Sequence, residues 1–165
     1  MTWRCVACWI GLPTARARHK QEDVIVKEQH VAAVVKEVSS GADESDHVAS
    51  LVGLFMQVQP VVGHYVSAHS NELGLEGVVL TLLHASVVAR SVELAQGRRS
   101  RPLKFEDLDV AARTGSMEAL ADDEPELASY LEGNIVAEDP TLGGAKRAVA
   151  LRVLGVVARA FVDLR

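Results

Sequence analysis

The feature that most constrains this chain is a long helical segment without a polar face. Residues 73–89 carry apolar side chains on nearly every side of a 3.6-residue wheel, and such a helix in a globular protein runs through the interior. Its ends are marked. Ser70, Asn71 and Glu72 form a start signal with acid in the first turn, where the helix pole is positive, and Gly97 stands where a left-handed stop residue is favoured. Gly77, Thr81, Ala85 and Ala89 recur every four residues along it, making a ridge of small side chains that lets a second helix come close. Residues 145–164, preceded by Pro140, Gly143 and Gly144, repeat the all-round apolar pattern and are the expected neighbour.

The remaining segments read as shorter helices around these two. Val31, Val34, Val35 and Val38 fall at helical spacing within residues 22–38, and Ser39, Ser40 and Gly41 break the pattern. Asp43 is placed to cap a second helix, whose Val48, Leu51, Val52 and Phe55 make an i, i+3, i+4, i+7 stripe. Pro60 ends or kinks it; residues 61–69 continue as helix, although residues 57–66 also admit a strand. Downstream, residues 105–113 predict a helix with Leu108, Ala111 and Ala112 inward, Ser116 caps a short turn, and Asp123 with Pro125 starts residues 126–131, closed by Gly133. The chain is thus expected to be all-α, a single-domain helical bundle of about six to seven helices around residues 72–96 and 145–164. Its valine content keeps an α+β fold as the alternative, since valine favours strands, but the valines recur more often at spacings of three and four than of two.

At 165 residues the chain can bury a real core without disulfides or metal, so no cofactor is needed for stability. A net charge of −5 opposes general attraction to nucleic acid or anionic membranes. Glu76 and Arg90 interrupt one apolar segment, and Arg147, Arg152 and Arg159 the other, which argues against a membrane span. Residues 1–20 hold four basic and no acidic residues, and read as a poorly ordered basic arm before a helical domain of residues 21–165. The apolar residues 5–12, followed by Ala15, Arg16 and Ala17, also imitate a secretion signal. With two cysteines there is no disulfide framework, which favours a reducing, cytoplasmic setting.

Four groups of residues invite chemistry. Cys5 and Cys8 have the two-residue gap that lets two thiolates meet one zinc, but lack a second ligand pair. Glu44 and His47 have the i, i+3 spacing that carboxylate-bridged metal centres use in bundles, which require a second such pair and two further glutamates. His84, alone on the apolar helix, is a candidate metal or haem ligand or a catalytic base; Glu76 is two turns away, about 12 Å by helical rise, too far to share its metal. Arg98, Arg99, Arg101 and Lys104 make a basic loop suited to an acidic partner or phosphate, while also complementing the negative end of the preceding helix. No nucleophile motif and no phosphate-binding glycine loop accompanies them. By elimination the chain reads as a non-enzymatic helical protein-interaction or regulatory module that binds another protein or a second copy as a homodimer. A metal- or haem-binding helical protein, and a nucleic-acid-binding regulator using the basic loop, are the alternatives.

Overall fold

The computed structural model describes residues 25–40, 46–114 and 117–164. Among them the fold is all-α, with eight helices and no strand: α1 Glu28–Ser39, α2 His47–Val58, α3 Pro60–Ser67, α4 Ser70–Gln96, α5 Phe105–Thr114, α6 Met117–Asp123, α7 Pro125–Asn134 and α8 Ala145–Asp163. The count exceeds six to seven because α2 and α3 are separate elements and the turn after residue 116 is a helix of its own. The strand reading of residues 57–66 gives way to helix. Pro60 occupies the first turn of α3, where its missing N–H costs nothing.

α4 and α8 pack along each other at the centre; α1, α2 and α3 lean on α4, and α5, α6 and α7 on α8. Phe161, Leu154, Val157 and Ala158 of α8 and Leu82, Ala85, Val88 and Val92 of α4 lie in one continuous core with Leu108, Leu120, Leu127 and Leu131. α4 is also the one described helix long and apolar enough to cross a membrane, but half of its most apolar window is buried against the rest of the fold. The small-residue ridge is buried from Gly77 to Ala89. A Cβ at Gly77 would stand 3.3 Å from Leu142 Cδ2, so glycine there admits the segment leading into α8. Thr81, fully buried, donates its hydroxyl to the Gly77 carbonyl at 2.7 Å, which satisfies it inside the core.

Several boundaries differ from the sequence pattern. Ser70 does not cap α4: residues 70–73 form a separate helical turn, and the break is at Gly74, with φ 74° and ψ 168°, a conformation open in practice only to glycine. Gly97 does terminate α4 in the left-handed region. Asp43 and Ser116 lie outside the described residues. Ala112 is exposed, because only Leu108 and Ala111 of α5 reach the core. Gly133 lies inside α7, which runs on to Asn134.

The start of α7 is set by Glu124, not Asp123. Glu124 precedes Pro125 at the N-cap and is almost wholly buried, and its Oε2 accepts the Val26 N–H at 2.8 Å, fastening the segment before α1 to the far side of the bundle. Asp123 instead meets Arg159 of α8 as an ion pair.

Candidate functional site

The sequence-predicted candidates are dispersed in the structure. Cys5, Cys8 and Glu44 lie outside the described residues. His47 Nε2 is 2.9 Å from the Val38 carbonyl, so its ring N–H joins the start of α2 to the end of α1. His84 lies on α4 with Nδ1 2.9 Å from the Tyr130 hydroxyl of α7, the two rings meeting edge to face. Burial lowers the pKa of His84, against the weaker upward pull of the Asp139 carboxylate, and burial raises that of Tyr130. The pair is a hydrogen-bonded tie between α4 and α7. Among the described residues no three His, Cys, Asp or Glu side chains converge as metal ligands.

Part of the basic loop is committed to its own fold. Arg101 makes a two-pronged ion pair with Asp107, Nη1 to Oδ2 at 2.8 Å and Nη2 to Oδ1 at 2.9 Å. The same carboxylate accepts the Lys104 N–H at 2.8 Å at the start of α5. The Arg101 hydrogen bond holds the Asp107 carboxyl below the ordinary carboxylate range. Arg98 reaches toward the Leu164 carbonyl at 3.4 Å, and Arg99 is exposed. Four free cations converging on one anion is not the arrangement present.

A different surface stands out. α2 carries no Asp, Glu, Lys or Arg, and the charge-free stretch continues from His47 to Asn71. Of its twelve residues only Val52 is fully buried. The predicted stripe is confirmed in direction, since Val48 and Phe55 pack against the core beside Val52. The helix is also apolar off that stripe: Leu54 is 60% exposed, Met56 39% and Val58 56%. Isolated apolar residues on a surface are ordinary; Leu54 and Val58, one turn apart on the same side of a charge-free helix, make a patch beside the groove, while Met56 lies on the other side of α2 against Gly63 of α3.

Beside this patch α1, α2 and α4 leave an open groove of about 240 Å³, with Val34 and Val38 on one wall and Leu51, Leu54, Phe55 and Val58 on the other. Its rim is charged. Glu37 comes from α1, and Arg90 and Glu93 from α4. Arg90 donates to Glu93 Oε2 at 3.2 Å, while Glu93 Oε1 accepts the Ser100 N–H at 2.9 Å. Gln59 closes one end: almost fully buried, its amide donates to the Arg101 carbonyl at 3.3 Å and accepts the Leu103 N–H at 2.8 Å. Spacing alone did not mark Gln59 or the groove. The available signal was the absence of charge from His47 to Asn71 together with apolar residues beyond the needs of one buried stripe.

Comparisons with protein-family profiles, curated protein sequences and solved structures yield no match for this chain.

Proposed function

We propose that this protein is a helical interaction module whose contact surface is the α1–α2–α4 groove together with the exposed face of α2. The observation that carries the reading is the condition of α2, a charge-free apolar helix that spends only one residue fully in the core and leaves Leu54, Met56 and Val58 in water. A groove of alternating apolar walls with an ionic rim has the anatomy of a protein contact: an apolar centre to be dehydrated and a polar border to fix register.

The energetics support a weak contact, in which apolar burial does little more than offset the cost of association. Completing the burial of Leu54 and Val58 is worth roughly 2–4 kcal/mol on this side, at the usual ~1.5–3 kcal/mol for a whole apolar side chain. A comparable contribution from the opposite side, plus Leu51 and Phe55, reaches the lower part of the ~4–15 kcal/mol that association costs. Preorganisation helps, because the groove is already open and α2 is held by Val52 and by the His47–Val38 hydrogen bond.

A photo-crosslinking amino acid placed at Val58, with the same residue at exposed Asp109 of α5 as the comparison, tests the surface in cells. The expected result is a light-dependent adduct of higher mass from position 58 alone. No adduct, or equal adducts from both positions, overturns the reading.

A further inference from the structure

No further inference is drawn: the strongest candidate, the acidic pocket that Asp122 and Asp123 of α6, Glu124 and Asp163 of α8 form beside Ile25, carries nothing, because Asp123 and Asp163 both pair with Arg159, Glu124 holds the Val26 N–H, and nothing among the described residues points to a ligand there.

Discussion

Replacing Gly143 by alanine should cost far more than replacing Gly133, although the chemical change is the same. An ideal Cβ on Gly143 would stand 2.3 Å from the Asp139 carbonyl oxygen and 2.4 Å from that of Ala137, where carbon and oxygen ordinarily keep about 3.3–3.6 Å. Both obstacles are backbone, so the turn itself must open by roughly 1 Å. Opening it strains the Gly143 N–H to Asp139 carbonyl bond at 2.9 Å and the Gly144 N–H to Ala137 carbonyl bond at 3.0 Å, each worth about 0.5–1.5 kcal/mol. It also disturbs the Asp139 carboxylate, which accepts the Thr141 and Leu142 N–H groups at 2.8 and 2.6 Å and is held below its ordinary pKa by them. Leu142, 1% exposed, then loses part of its burial.

The total for Gly143→Ala is about 2–4 kcal/mol, or a fall in Tm of roughly 4–16 °C for a domain of this size. Gly133 sits in α7 with nothing within 4 Å of an added Cβ, so alanine there should stabilise by about 0.5–1 kcal/mol through helix propensity. Thermal and urea unfolding followed at 222 nm measure both. A Gly143→Ala melting point within about 2 °C of the wild type, or a loss of stability from Gly133→Ala, would refute the reasoning.

Gln59→Leu keeps the bulk but abandons the buried Leu103 N–H, and should destabilise by about 1–3 kcal/mol in urea unfolding; an unchanged midpoint would mean that the loop over α5 does not depend on that amide. Burial lowers the folded pKa of His84, so the unfolded chain binds the proton more readily: the contribution is intact above the unfolded value near 6.5 and is lost as pH falls below it. Stability should therefore decline from pH 7 to 5, and His84→Gln should flatten that slope; a slope unaltered in the variant assigns it to another group. Asp107→Asn should release Arg101 and, with it, increase retention on heparin at low salt, whereas no change would indicate that the Arg101–Asp107 pair does not govern the charge of that loop.

The centre of the fold was legible because its signals are strong and local. All-round apolarity over residues 73–89 and 145–164 has no other place to go in a bundle, and Gly97 adopts the left-handed stop that its position suggested. What misled were signals that physics permits at more than one place. Ser70, Asn71 and Glu72 make a good cap by composition, yet Gly74 alone tolerates the conformation at the break, so the helix proper begins one turn later. Asp123 and Glu124 both precede Pro125, and which one turns inward is decided by the distant Val26 N–H that accompanies Glu124.

The candidate site was harder to read for the same reason. Periodicity identified the stripe of α2 that packs inward but is silent about residues outside it, and Leu54 and Val58 become a patch only because no neighbouring helix covers them. His47 and His84 looked like ligands in isolation. In the structure both hydrogen-bond across helices, to the Val38 carbonyl and the Tyr130 hydroxyl, nine and 46 residues away in sequence.

Hydrogen exchange compared between the wild type and Leu54→Asp, each in the presence of the protein that crosslinks at α2, addresses the central claim, that the outer face of α2 is covered in the working molecule. The account predicts faster exchange across residues 51–58 in the variant, with α8 and the body of α4 unaltered. Identical exchange in α2 for the two proteins would contradict it, since a face that nothing covers has no protection to lose.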